Sequence, residues 1–375
     1  MNVYMVPIKV GIIVFPIIAL LITLPYMIKQ YHKYGSIPFL RTFIVYSFIL
    51  YLLIAWFMVI LPLPKIEEVA KMTRPWAQLI PFDALRVIIE SSNFNILDFS
   101  TYIDTLKNPP VYQMLFNFVL TIPFGVYLRY YFNRKWWEVL TCSFMLSFFF
   151  EVTQFSCLFG IYPRPYRMFD VDDLIVNTLG GMIGYFITPL FSKILPSRDK
   201  LDEKAYLKGE KVSFPRKAIA TLIDFIIVCI ITFSGILERN TLDLSILMLV
   251  FLAYTILFSV LLRGKTLGKI IVGIKVVGDD GKKARIDQIL LRYLIKYVLY
   301  FEVYHATLVI LPTNDSGSYK YIIIMIIYMM LSIIYLKTFI NIFRKNKPQV
   351  YESLSHTKYV STIKNKKNKE IEGVN

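Results

Sequence analysis

The feature that most limits this chain is the recurrence of apolar runs of about 20 residues, near 8–28, 40–61, 112–131, 136–158, 174–195, 218–237, 242–262, 289–311 and 319–341. At roughly 1.5 Å per helical residue, such a run covers the ~30 Å hydrocarbon layer of a bilayer. None of them alternates with period two, as the strands of a membrane barrel do. The expectation is an all-α, polytopic membrane protein with about nine transmembrane helices. A content of 56% hydrophobic and 18% charged residues over 375 positions agrees, being too apolar for a soluble fold. The opening Met1–Pro25 lacks a cationic start and a small-residue cleavage site, and its apolar run is too long for a signal-peptide core. It reads as a retained first span.

A formal charge of +16 invites a nucleic-acid reading, but the basic residues fall between the apolar runs and form no amphipathic face with interleaved aromatics. They orient the chain in its lipid bilayer instead. Lys29, Lys33 and Arg41; Arg129, Arg134 and Lys135; Lys193 to Lys217; Arg263 to Arg285; and the tail from Arg344 alternate with less basic connections. The excess of positive charge on cytoplasmic loops puts the amino terminus outside and the carboxyl terminus in the cytoplasm of a multi-pass protein of the cell membrane. Cys142, Cys157 and Cys229 form no CxxC and have no histidine at metal-site spacing, so neither a disulfide framework nor zinc is indicated, and no cofactor motif is present. The absence of a nucleophile elbow, a zinc-helix motif or a Ser-His-Asp set argues against an enzyme and leaves acid-base chemistry on Glu151 and the aspartates as the one enzymatic alternative.

One stretch, Glu151 to Gly184, places polar groups where a membrane helix tolerates them least. Glu151 and Gln154 stand three apart before a short loop; Asp170, Asp173 and Asn177 stand three and then four apart after it. Each set therefore shares a helix face, and two such faces joined by a tight turn can meet. With Arg164, Arg167 and Asp172 they make a candidate ligand-binding site on the outer side. The three aspartates admit a divalent cation, but Arg164 and Arg167 favour a hydrogen-bonded loop in which Asp170 or Asp172 caps the next helix. Gly180 and Gly184 read as a small-residue packing stripe. The outer segment 62–110, with helix-like stretches at 79–90 and 93–106, is expected to cover the loop.

Residues 196–215 carry nine charged side chains before Arg216 and no apolar run, which marks a boundary. The expected organisation is a five-helix membrane domain over 1–195, a polar cytoplasmic linker over 196–215, a four-helix membrane domain over 216–360 and a basic disordered tail over 361–375. In the second half, Asp224 and Lys296 lie at similar depths in their spans and can pair, either structurally or along an ion path. Glu302 and His305, three apart, are a second such pair. Gly264 to Lys269 is no phosphate loop, since three residues separate its glycines and Ile270 follows the lysine. The stretch 270–277, followed by Gly278-Asp279-Asp280-Gly281, reads as a short strand and turn at the cytoplasmic surface or, equally, as a re-entrant or surface-lying element.

Leu61-Pro62-Leu63-Pro64, Leu79-Ile80-Pro81-Phe82, Asn117, Pro123, Glu151 with Gln154, and Asp170 to Gly184 together resemble the VanZ-like family over roughly residues 1–195. That resemblance implies a membrane protein associated with resistance to glycopeptide antibiotics such as teicoplanin. Arg216, Ala220 and Asp224, then Gly264-Lys265-Thr266-Leu267-Gly268-Lys269, Gly273 to Val277, Arg292 and Tyr293 resemble the RDD family over about 212–360. Glu352 stands where that family usually carries an aspartate, one methylene shorter. This second resemblance implies a transport-related class, with ion exchange for some members. The leading expectation is protection of the cell surface through the outer polar site, with a cell-envelope lipid, a glycopeptide or an ion as partner. The alternatives are a transporter of ions or small solutes using Asp224, Lys296, Glu302 and His305, and a non-catalytic membrane assembly protein.

Overall fold

A computed structural model describes residues 2–91, 97–98, 100–192, 195–236, 244–297, 326, 329, 333, 336–337, 340–341 and 348–363. The chain forms two compact units, one of Met1–Ile22 with Phe39–Leu201 and the other of Thr23–Pro38 with Asp202–Asn375. It is a mostly helical membrane protein.

The first unit takes the start of α1 (Asn2–Tyr34) and continues through α2 (Phe39–Ile60) to α6 (Pro109–Tyr130), α7 (Trp136–Phe155) and α9 (Val171–Ser192). On α1, Ile12, Ile13, Ile17, Leu20 and Leu21 are all exposed, a face that only lipid suits. Helix α6 starts on Pro109 and Pro110, where the missing N–H groups cost nothing, and α7 starts where Glu138 Oε2 accepts from Lys135 N at 2.8 Å. Helices α6 and α9 run together closely enough that a side chain at Gly184 would strike the Ile122 carbonyl. Phe124, Leu128 and Val139 fill the space among α2, α6 and α7. Tyr51 OH and Tyr127 OH, donating to Leu120 O at 2.7 Å and Ser47 Oγ at 2.9 Å, satisfy buried polar groups there.

Between α2 and α6 lie α3 (Ile66–Ala70), β1 (Ala77–Gln78), α4 (Asp83–Ser91) and α5 (Ser100–Lys107). Strand β1 pairs in parallel with β2 (Phe169–Asp170), Ala77 opposite Phe169 and Gln78 opposite Asp170, so this segment does cover the loop after α7. The helix expected from residue 79 begins only at Asp83, because Phe82 takes a left-handed φ of 66°. After α7 comes one left-handed turn, α8 (Cys157–Gly160), with positive φ at Cys157, Leu158 and Phe159. It turns Leu158 into a cluster with Ile60, Val69, Tyr162 and Tyr166. That burial offsets a conformation costing about 1–2 kcal/mol per residue.

The second unit holds the last turns of α1, most of α10 (Arg198–Gly209), α11 (Phe214–Ile236), α12 (Leu244–Leu261), α13 (Leu267–Ile271), β3 (Ile274–Gly278), α14 (Ile286–Tyr293), α15 (Val350–Leu354) and β4 (Thr357–Ser361). Much of the polar stretch 196–215 is thus a helix. Tyr34 OH donates to Asp202 Oδ2 at 3.1 Å and Ser36 Oγ to Ala205 O at 2.6 Å, tying α10 to the end of α1. The expected strand near 270–277 starts later, since α13 runs to Ile271. Its partner is the distant β4, antiparallel, with Ile274 opposite Ser361 and Gly278 opposite Thr357.

Four described helices, over Met5–Tyr34, Phe39–Ile60, Pro109–Tyr130 and Val171–Phe191, are long and apolar enough to cross a membrane. Helix α7 has the length at 20 residues, but Glu138, Glu151, Gln154 and its hydroxyl residues lower its apolarity. Most of the two expected spans over 289–311 and 319–341, with Glu302 and His305, lies outside the described residues.

Candidate functional site

The last turn of α7 delivers Glu151 and Gln154 to the interior of the first unit, and both are buried. Gln154 Nε2 donates to Val59 O at 3.3 Å, fixing the amide against α2. Glu151 Oε2 accepts from Asp170 N at 2.9 Å, so this carboxylate holds the end of β2. From there α9 begins. Asp170 Oδ1 accepts from Asp172 N at 2.9 Å and caps the helix, while burial raises the Asp170 pKa and the nearby Asp172 and Asp83 carboxylates add to the rise. Asp172 serves a different helix. Its Oδ1 and Oδ2 accept from Phe82 N at 2.6 Å and Ala84 N at 2.7 Å, anchoring the start of α4.

The two arginines part company. Arg164 donates to the carbonyls of Met72 and Arg74 and so braces the segment before β1, not an aspartate. Arg167 lies close enough to Glu151 and Asp173 to act on both charges. Deeper in α9, Asn177 Nδ2 donates to Ser147 Oγ at 2.9 Å, Ser147 Oγ donates to Asp173 O at 3.2 Å, and Thr121 Oγ1 donates to Asn177 O at 2.8 Å.

These groups converge on a cavity of about 500 Å³ within the first unit. Glu151, Gln154, Arg167, Asp170, Asp173 and Asn177 line it; Arg164 and Asp172 do not. Arg74, Tyr112, Gln113 and Asn117 also line it and were no part of the candidate site, although Asn117 is among the residues that carry the resemblance. Asn117, one helical turn before Thr121 and beside the Asp173 carboxyl, was legible as an amide inside an apolar span. Arg74 carried no such signal, because it sits in a polar segment remote in sequence. Chemically the cavity offers carboxylate and amide acceptors at depth and guanidinium groups beside them.

In the second unit Asp224 is buried in α11 and accepts three hydrogen bonds from its own unit. Tyr254 OH donates to Oδ1 at 2.9 Å, Gly268 N to Oδ1 at 2.7 Å, and Thr266 Oγ1 to Oδ2. The carboxylate thereby seats α13, whose Gly268 lies so close to α11 that a Cβ would meet Ala220 O at 2.1 Å. Gly264, with φ +89°, passes equally close to Val276 O. Lys269 is buried with its ammonium on Tyr293 OH and on Ser259 Oγ at 3.4 Å. Lys296 does not reach Asp224 and donates to Thr221 Oγ1 at 3.0 Å, one helical turn away on α11.

Arg216 is fully buried and staples three segments. Nε donates to Val272 O at 2.8 Å, Nη1 to Gly209 O at 2.8 Å, and Nη2 to Gly273 O at 2.7 Å and Ser361 Oγ at 3.2 Å. Arg292, also fully buried, donates to Thr357 Oγ1, lies 3.6 Å from Glu352 Oε1 and faces the Tyr359 ring at 4.3 Å. Glu352 further pairs with Lys217 and accepts from Gln349 N at 2.9 Å, so the longer carboxylate both neutralises two cations and caps α15. These contacts hold the unit together.

Comparison with known proteins supplies two matches: the VanZ/LLP1 family model over residues 48–192 and the RDD family model over 212–349. No curated protein and no solved structure matches the chain.

Proposed function

We propose that this chain, a VanZ-like segment joined to an RDD-family segment, protects the cell surface against glycopeptide-type antibiotics through the polar cavity of its first unit. The observation that carries the reading is the convergence of Glu151, Asp173, Asn177 and Arg167 on one cavity lined almost entirely by the VanZ-like match. Buried ionisable groups among membrane helices are costly and mark binding sites. The role is binding of a cell-envelope partner, with no catalytic step. Cells carrying Glu151→Gln or Asp173→Asn are expected to show teicoplanin susceptibility equal to cells lacking the protein, while the variants reach the membrane in normal amounts. Full tolerance with either variant removes the cavity from the function.

The reading includes a topology of nine spans, with the amino terminus and the cavity outside and the carboxyl terminus in the cytoplasm of the cell membrane. The alternation of basic connections supports it. In a background without Cys142, Cys157 and Cys229, a cysteine at Ile161, an exposed position in the loop after α7, should react with an impermeant thiol reagent on intact cells. One at Lys200 or Lys282 should react only after permeabilisation. The reverse pattern inverts the site.

In the second unit, transport of ions through Asp224 is the weaker reading, because all three donors on that carboxylate come from the protein itself.

A further inference from the structure

Glu151 and Asn177 are buried and line the cavity together with Asp173, so two carboxyl groups and an amide border one space inside the first unit.

The carboxylates of Glu151 and Asp173 accept hydrogen bonds, which suits an ammonium group with three N–H donors. Arg74 is exposed and Arg167 half-buried, so guanidinium groups stand nearer the mouth of the same cavity. An anion alone would face the carboxylates, and a bare cation would pass the arginines without using them. A volume of about 500 Å³ also exceeds what a single ion needs.

We propose that the cavity binds a zwitterion, a primary ammonium held by Glu151 and Asp173 with a linked phosphate or carboxylate held by Arg74 and Arg167. This deepens the reading of the cavity as the binding site and rests on it. Two sources carry that chemistry: the headgroup of an aminophospholipid and a free amino acid.

The test uses the full chain in phosphatidylglycerol nanodiscs. Phosphatidylethanolamine, N-acylphosphatidylethanolamine, glycine and acetate are added separately, with native mass spectrometry for retained lipid and thermal melting for soluble additives. One phosphatidylethanolamine retained per chain, with glycine inert, assigns a lipid headgroup; a melting rise with glycine, and no selective lipid, assigns a free zwitterion. N-acylphosphatidylethanolamine and acetate, which lack the ammonium, should not bind. Asp173→Asn and Arg74→Gln should each weaken binding about tenfold, the loss of one charge-assisted hydrogen bond. Because the Arg74 side chain is exposed, its replacement leaves the fold intact even if Asp173→Asn does not.

Binding of neither zwitterion overturns the proposal, as does equal binding of the N-acylated lipid or unchanged affinity in Arg74→Gln. The antibiotic reading fails separately. Zwitterion binding with unaltered teicoplanin tolerance in Glu151→Gln cells would remove the protective role and leave this site standing. Lost tolerance without zwitterion binding would do the opposite.

Discussion

Gly184→Leu is expected to abolish accumulation of the folded protein in the membrane. A Cβ at that position would lie 2.0 Å from Ile122 O and 3.1 Å from Gly125 Cα, both of them backbone atoms of α6 that cannot move aside as a side chain would. Relief therefore means separating α6 and α9. That separation breaks the Thr121 hydrogen bond to Asn177 O and opens the cavity, at a cost of about 3 kcal/mol or more. Fluorescence-detected size exclusion of a tagged protein supplies the measurement, with Leu190→Ala as control, since Leu190 is exposed on the same helix. Normal, monodisperse Gly184→Leu protein would show that the close approach of α6 and α9 is dispensable.

The apolar runs and the i, i+3, i+4 spacing of Glu151, Gln154, Asp170, Asp173 and Asn177 made the helices and part of the polar cavity wall legible, because both follow from helical periodicity and the cost of burying polar groups. Which oxygen meets which donor was not legible. Asp172 and Asp173 are adjacent, yet one anchors α4 and the other lines the cavity, a division decided by the chain's return from α4 and β1. Arg164 and Arg167 part for the same reason, since the carbonyls of Met72 and Arg74 lie about 90 residues away in sequence. The β3–β4 pairing also joins segments far apart, and period-two patterns over five residues cannot name such a partner. Lys296 taking Thr221 in place of Asp224 follows from Asp224 being committed to the start of α13.

Asp224→Ala is expected to prevent the second unit from folding, and Asp224→Asn to weaken it. The alanine variant leaves Tyr254 OH, Thr266 Oγ1 and Gly268 N buried without their acceptor, at about 1–3 kcal/mol each, which together approach the whole stability of an ordinary domain. Asparagine keeps one acceptor oxygen for Gly268 N and Tyr254 OH. Its amide nitrogen then faces Thr266, whose hydroxyl must turn to accept, so the loss is one charge-assisted bond at about 1.5–3 kcal/mol. Protease resistance of the second unit and the melting temperature of the full chain should fall in the order wild type, Asp224→Asn, Asp224→Ala. Any sodium- or pH-tolerance the protein confers should fall in proportion to the folded fraction, and teicoplanin tolerance should track the first unit alone. If Asp224→Asn instead melts like the wild type while ion tolerance vanishes, the carboxylate's charge serves a permeating ion and not α13, and the RDD-like unit is a transporter in its own right.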